Sequence, residues 1–210
     1  MNSQLELYAE EHSTPEDDYL YRLYRATNNN LLYPRMASGH MQGLMLRMIC
    51  RMLKPKNVLE IGTYSGYSAL AMASGMEEGS RIVSYEINDE QEVFTRPWLE
   101  GSPYPAKIEM RIGDVMELLP KSGEKFDMAY MDGNKRYYIR HYELVLEHLR
   151  EGGFIIADNT LWDGHVVDAA YEKDTQTAAI RHFNEYVRKD ERVEVMILPL
   201  RDGLSIIRKK

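Results

Sequence analysis

The chain has 210 residues, 44% of them apolar and 28% charged, and its 26 Lys and Arg against 33 Asp and Glu leave a formal charge of −7. These are globular proportions that exclude disordered and fibrous classes, and the charge has the wrong sign for holding nucleic acid by bulk electrostatics. The longest apolar run, Ala69 to Ala73, is five residues, far short of the ~18 that a membrane span needs. One cysteine, Cys50, forms no internal disulfide, and the stretch Met1-Asn2-Ser3-Gln4-Leu5-Glu6 has neither the basic flank nor the apolar core of a secretory signal, so a soluble, reduced, cytoplasmic protein is expected.

No repeat or linker divides the sequence, and one unit over 1–210 is expected, with N-terminal helices over 1–54 and an α/β core over 55–210. Thr14-Pro15-Glu16-Asp17 supplies an N-cap, a first-turn proline and first-turn acid for a helix running to about Thr27, where Asn28-Asn29-Asn30 stops it. A second helix is expected from Ser38 to about Leu53, with Met41, Leu44, Met45, Met48, Ile49 and Met52 on one face and Pro55 closing it. Cys50 on this helix reads as a core residue rather than a nucleophile.

From Asn57 the pattern becomes short apolar β-type runs alternating with helical stretches, the pattern of βαβ units and a mostly parallel sheet. The expected strands are 58–61, 81–85, 108–111, 128–131 and 154–157. Val193 to Leu198 and Leu204 to Ile207 flank a short turn at Leu200-Arg201-Asp202-Gly203, so the sheet is expected to end in an antiparallel pair.

In an open α/β sheet ligands sit beyond the carboxyl ends of the strands. The first strand ends Glu60-Ile61-Gly62-Thr63-Tyr64-Ser65-Gly66-Tyr67-Ser68, where Gly62 and Gly66 permit a tight turn and close approach to a ligand. Tyr64 occupies the place of the glycine that a dinucleotide pyrophosphate requires, so NAD is disfavoured. The second strand ends in Glu86, about where an acid would hold ribose hydroxyls, and the third is followed by Gly113-Asp114-Val115. Together they describe a nucleoside pocket, although each piece alone also reads as strand-to-helix punctuation or a solvated strand end.

The fourth strand ends in Asp132, within Met131-Asp132-Gly133-Asn134-Lys135, and the fifth in Asp158-Asn159. Two carboxylates and an amide carbonyl are hard oxygen ligands, which select Mg²⁺, Mn²⁺ or Ca²⁺ over zinc. Turn capping is the competing role, because Asp-Asn pairs also begin turns.

The order Glu60 to Ser68, Glu86, Met131 to Lys135, Ala157-Asp158-Asn159-Thr160-Leu161-Trp162 and Leu198-Pro199-Leu200-Arg201-Asp202-Gly203 resembles the cation-dependent O-methyltransferases, over roughly residues 34–210. That family includes caffeoyl-CoA and catechol O-methyltransferases and bacterial relatives acting on small phenols or on a wobble hydroxyuridine of tRNA. The resemblance implies a class I S-adenosylmethionine-dependent methyltransferase fold: a seven-stranded, mostly parallel sheet with a C-terminal antiparallel hairpin and N-terminal helices. It implies S-adenosylmethionine and a divalent cation, Mg²⁺ foremost, as cofactors. The implied partners are a small aromatic vicinal diol as acceptor and a second copy of the chain in a homodimer.

Carried over by position, the resemblance implies that Glu60, Gly62 and Ser68 line the methionine end of the cofactor, Glu86 takes the ribose, Asp114 and Val115 flank the adenine, and Met36 closes over it. It assigns Asp132, Asp158 and Asn159 to the metal, Lys135 to the general base, and to Asp132 a further catalytic and cofactor-contacting part. Asn134 departs from the pattern, standing where plant members have a second aspartate that contacts the cofactor. Trp162 and Tyr137 are candidates for packing against an aromatic acceptor ring. The alternatives are a tRNA wobble-hydroxyl methyltransferase, which the charge disfavours, and a non-catalytic nucleoside-binding regulatory protein, which the intact Asp132, Asp158, Asn159 and Lys135 disfavour.

Overall fold

The computed structural model describes residues 3–210. Three helices come first: α1 (Ser3–Glu11), α2 (Asp18–Asn30) and α3 (His40–Leu53), with a 3₁₀ turn, Pro34–Met36, before the third. The core then alternates β1 (Asn57–Ile61), α4 (Tyr67–Ala73), β2 (Arg81–Glu86), α5 (Glu92–Glu100), β3 (Lys107–Ile112), α6 (Val115–Ser122), β4 (Phe126–Met131), α7 (Tyr138–His148) and β5 (Leu149–Asp158). It finishes with α8 (Thr175–Lys189), β6 (Val193–Leu198) and β7 (Leu204–Lys209). Among the described residues no helix is long and apolar enough to cross a membrane.

The strands order as β3-β2-β1-β4-β5-β7-β6, with β1 to β5 mutually parallel and β7 antiparallel to both of its neighbours. Side chains alternate between the two faces. Leu59, Ile61, Ala129, Met131, Ile155 and Ala157 join a core with Tyr142, Ile180 and Phe183 of α7 and α8. Val58, Ile82, Met128, Tyr130 and Ile156 meet Leu46, Ile49, Cys50 and Met72 of α3 and α4 on the other face. Burial on both faces is why the central strands read as unbroken apolar runs.

The helical expectations need four corrections. α2 begins at Asp18, capped by Asp17 rather than Thr14, because the Asp17 carboxylate accepts from the Tyr19 amide at 2.9 Å and from the Tyr104 hydroxyl at 2.5 Å, and the helix runs through the three asparagines to Asn30. α3 starts at His40, two residues after Ser38, with left-handed Gly39 as its N-cap. Its buried face is Gln42, Gly43, Leu46, Ile49 and Cys50, whereas Met48 and Met52 lie exposed. Gly43 sets that rotation: a Cβ there would come within 2.8 Å of the Tyr67 ring, so the helix meets α4 along its smallest side chain.

Register fixes what meets at the carboxyl ends. Ile61 pairs with Met131 and Met131 with Ala157, so Gly62, Asp132 and Asp158 follow as successive neighbours on adjoining strands. β1 and β4 are adjacent strands whose chain connections run to opposite sides of the sheet, which makes their junction the topological switch point where α/β sheets bind ligands.

Candidate active site

Gly62 joins the two halves of the rim. Its φ is 96°, and a Cβ at this position would lie 2.6 Å from the Asp132 carbonyl oxygen, so only glycine lets the β1 turn pass this close to the end of β4. On the β1–β2 side, Glu60 is fully buried and accepts hydrogen bonds from the Ser68 hydroxyl at 2.6 Å and from the Ser84 hydroxyl. Burial pushes its carboxyl up to about 7, with the two serines pulling the other way and Asp132 and Glu86 adding to the rise. Glu86 is buried and accepts from the amides of Tyr64 at 2.8 Å and Asn88 at 2.9 Å, which pins the left-handed Tyr64 turn to the end of β2. Each Glu86 oxygen keeps a lone pair for a ligand hydroxyl.

Asp114 is exposed and caps α6, accepting from the Met116 amide at 2.8 Å, while Val115 beside it is buried in the core. Met36 is 57% exposed on the 3₁₀ turn ahead of α3. His141, buried against Gly133, has its imidazole pushed down to about 4 by burial, against the pull of Asp114.

On the β4–β5 side Asp132 has a charged partner and Asp158 neutral ones. The Lys135 ammonium, itself buried, donates to Asp132 Oδ1 at 2.6 Å and to the Tyr138 hydroxyl at 2.7 Å, and Tyr138 in turn donates to the Asp158 carbonyl at 2.8 Å. Burial raises the Asp132 carboxyl above its ordinary range, Lys135 and Arg201 oppose the rise, and the Asp158 charge adds to it. Asp158 is buried, with Oδ2 accepting from Gln42 Nε2 at 2.5 Å and from the Tyr130 hydroxyl at 2.7 Å, and Oδ1 accepting from the Asn159 amide. Asn159 sits at φ 55°, its Nδ2 donating to Asp202 at 3.3 Å, so the hairpin turn orients its amide.

This donor set suits a hard cation. The second Asp132 oxygen and the Asn159 side-chain oxygen have no hydrogen-bond partner among the described residues, and the Asp158 charge, which adds to the rise of the Asp132 carboxyl, favours added positive charge there. Among the described residues no three His, Cys, Asp or Glu side chains converge on a metal position, so the set depends on the Asn159 amide as its third ligand.

A sequence model of the O-methyltransferase family matches residues 10–210. The chain belongs to the O-methyltransferase family. This O-methyltransferase is 34% identical to the mouse catechol O-methyltransferase domain-containing protein 1 over 170 residues, 79% of the chain and 64% of the mouse protein's length. It is 30% identical to tobacco caffeoyl-CoA O-methyltransferase 5 over 83% of the chain and 77% of that protein. Among solved structures, a Bacillus cereus O-methyltransferase in complex with SAH superimposes with a TM-score of 0.89 at 26% identity, covering 99% of this chain and 97% of that one. A Podospora anserina methyltransferase with SAH bound gives a TM-score of 0.90 at 26% identity over 99% and 94% of the two chains. The fold is therefore the class I methyltransferase fold, with its seven-stranded sheet and C-terminal hairpin.

Within this O-methyltransferase the rim brings Glu60, Gly62, Ser68, Glu86, Asp132, Lys135, Asp158 and Asn159 to neighbouring strand ends, with Met36, Asp114 and Val115 on flanking segments. Tyr137 is half exposed with the Arg140 guanidinium over its ring, and Trp162 is partly buried against the core at φ 49°. Sequence reasoning missed Ser84, Tyr130, Tyr138 and Gln42 as holders of these acids. Alternation offered a signal for one of them: Tyr130 lies two residues before Asp132, on the face that carries Ile156 toward Asp158. A hollow of about 390 Å³ lies away from this rim, lined by Val166, Phe183, Val187, Val195 and Ile197 between α8 and β6.

Proposed function

We propose that this O-methyltransferase moves a methyl group from S-adenosylmethionine to one hydroxyl of a catechol-type aromatic small molecule held on a divalent cation, Mg²⁺ foremost, and that it works as a homodimer. The observation that carries the reading is the meeting of Asp132, Asp158 and Asn159 with the Gly62 turn at the switch point of a family fold. The SAH bound in the Bacillus cereus and Podospora anserina structures supports the cofactor, and the names of the plant and mouse relatives support the acceptor class. Leu5, Leu7 and Tyr8 on α1 and Val195, Met196 and Ile197 on β6 stand exposed, which supports a second copy.

Displacement at a sulfonium methyl needs an ionised nucleophile aimed in line with it. A phenol with a pKa of ~10 is only about 0.1% ionised at pH 7, a deficit of roughly 4 kcal/mol. Asp132, Asp158 and Asn159 would hold the divalent cation, which when bound would supply positive charge that makes an aromatic hydroxyl easier to ionise. Glu60 would hold the cofactor's ammonium as a buried acceptor, and Glu86 would take its ribose hydroxyls. Lys135, tethered by Asp132 and Tyr138, would act as the general base in its uncharged amine form, accepting the proton of the reacting hydroxyl and becoming the ammonium that pairs with Asp132.

The test is labelled S-adenosylmethionine with a panel of catechols, single phenols and bulk tRNA, with and without EDTA after trace metal is removed. Methylation of catechols, lost in EDTA and weak for single phenols, is the expected result. Full activity in EDTA removes the cation, label in tRNA alone replaces the acceptor, and cofactor binding without turnover on any arm revives the regulatory reading.

A further inference from the structure

Asp158 is held by a side-chain relay that begins far away in the sequence. Gln42, 1% exposed in the first turn of α3, uses both hydrogens of its amide nitrogen, one on Asp158 Oδ2 at 2.5 Å and one on the Tyr130 hydroxyl at 2.8 Å. The Tyr130 hydroxyl donates to the same carboxylate oxygen at 2.7 Å, so Oδ2 accepts two neutral donors. Which way the Gln42 amide faces is settled by a third group. Arg201 Nη1, from the turn between β6 and β7, donates to Gln42 Oε1 at 3.3 Å, and a guanidinium has no acceptor to offer the opposite orientation. The same Nη1 reaches the Ala37 carbonyl at 3.5 Å, tying the segment ahead of α3 to the hairpin turn.

Such an arrangement exceeds what packing requires. An apolar side chain would fill the α3 position next to Gly43 at no desolvation cost, whereas a buried amide is tolerable only when its polar atoms are paired. Here every one of them is paired, and the pairing converges on a single carboxylate oxygen. With Oδ2 occupied from two sides, the oxygen left to face outward is Oδ1, whose remaining partner is the Asn159 amide.

We infer that Gln42 is a positioning residue for the cation site: with Tyr130 it locks Asp158 so that Oδ1 alone is presented to the metal, and Arg201 fixes the orientation of the Gln42 amide. The inference rests on the cation reading proposed above and adds to it residues from α3 and from the hairpin turn. Groups that orient a metal ligand in this way typically change metal affinity by about 10- to 100-fold when removed.

The experiment measures Mn²⁺ affinity from the electron paramagnetic resonance signal of the free ion, and SAH affinity by calorimetry, on the full chain and on Gln42→Leu, Tyr130→Phe, Arg201→Met and Arg201→Lys. Gln42→Leu is expected to weaken Mn²⁺ by roughly 10- to 100-fold and to leave SAH affinity within about threefold. Arg201→Met should weaken Mn²⁺ by roughly 3- to 10-fold, with Arg201→Lys restoring most of it, because a cation near Gln42 Oε1 is what the role requires. Turnover of Gln42→Leu should recover toward the unmodified protein as Mn²⁺ is raised, which a distorted fold would not do. Mn²⁺ affinity within threefold of the unmodified protein in a Gln42→Leu that binds SAH normally overturns the inference. If that variant fails to fold, unchanged Mn²⁺ affinity in Arg201→Met overturns it instead. An unmodified chain that binds SAH but no Mn²⁺ overturns the cation reading, and this inference with it.

Discussion

Glu60 and Glu86, at the ends of β1 and β2, are held only by neutral donors: two serine hydroxyls for the first and two backbone amides for the second. Asp132 and Asp158, at the ends of β4 and β5, sit against an ammonium and an arginine-backed amide. The first pair is therefore short of positive charge, and burial leaves Glu60 drawn toward its neutral form until a cationic ligand arrives. The second pair already has the Lys135 ammonium against Asp132, with Arg201 one side chain removed from Asp158, which suits a site where negative charge develops on a bound oxygen. One rim thus carries two kinds of carboxylate, separated by the close approach at Gly62.

The sharpest way to break this contrast is at the β5 end. Asp158→Ala removes a charged oxygen from the cation set and leaves Glu60, Gly62 and Glu86 in place. Turnover on the best catechol should fall by about 10³, since the ionisation deficit of ~4 kcal/mol returns to the barrier at 1.36 kcal/mol per factor of ten, while cofactor affinity stays within about threefold. Retention of more than about a tenth of the turnover at pH 7 would sink the metal role of this strand end. Lys135→Ala should cost about 10² to 10³, and the loss should shrink as pH approaches the pKa of the acceptor, where a base is less needed. A deficit that stays constant across the pH–rate profile assigns Lys135 to holding Asp132 instead.

The opposite half is probed through Glu60. Its carboxyl rises from 4.5 to about 7 in the folded chain, so between these values the folded state binds more protons than the unfolded state does. Stability should then decline as pH rises from about 4.5 to about 7, by on the order of 3 kcal/mol for a shift of this size. Glu60→Gln, which keeps the neutral shape, should flatten that decline in urea titrations of the cofactor-free protein. The same variant should lose the rise in S-adenosylmethionine affinity with pH that an ionising Glu60 provides to an ammonium. A cofactor-free protein whose stability rises over this window contradicts the buried, neutral-donor account.

How much of this was legible in the sequence follows from where each signal sits. The strands and their terminal acids are local: Leu59, Ile61, Met131 and Ala157 mark two-sided burial, and the residues that follow them are polar or glycine. α1 was not expected, because a helix whose Leu5, Leu7 and Tyr8 lie exposed has no buried stripe to announce it. The face of α3 differs from the expected one because Met41, Met45, Met48 and Met52 recur at three- and four-residue steps and mark a false stripe, while the packing is decided by Gly43 and the buried polar Gln42. Gln42 lies 116 residues from Asp158 and 159 from Arg201, so periodicity along the chain has no means of pairing them. The strand-end acids could be read; the side chains that hold them belong to tertiary contact.

The smallest effect expected falls at Asn134, between the two halves. Its side chain caps the 3₁₀ turn Lys135–Tyr137 by accepting from the Arg136 amide at 3.1 Å, and the residue is exposed. Asp and Asn serve about equally well as caps, so Asn134→Asp should shift the unfolding free energy by no more than about 0.5 kcal/mol, whereas Asn134→Ala, which removes the acceptor, should lose about 1 kcal/mol. The aspartate also restores the residue that the resemblance places against the cofactor in plant members. Because the existing side chain is already committed to the Arg136 amide, the added charge should change S-adenosylmethionine affinity by less than about threefold, under 1 kcal/mol. A tenfold tightening in calorimetry means that this side chain leaves its cap to touch the cofactor. The line between the two kinds of carboxylate then moves from Gly62 to the turn after β4, and Asp132 and Lys135 share their loop with a cofactor contact.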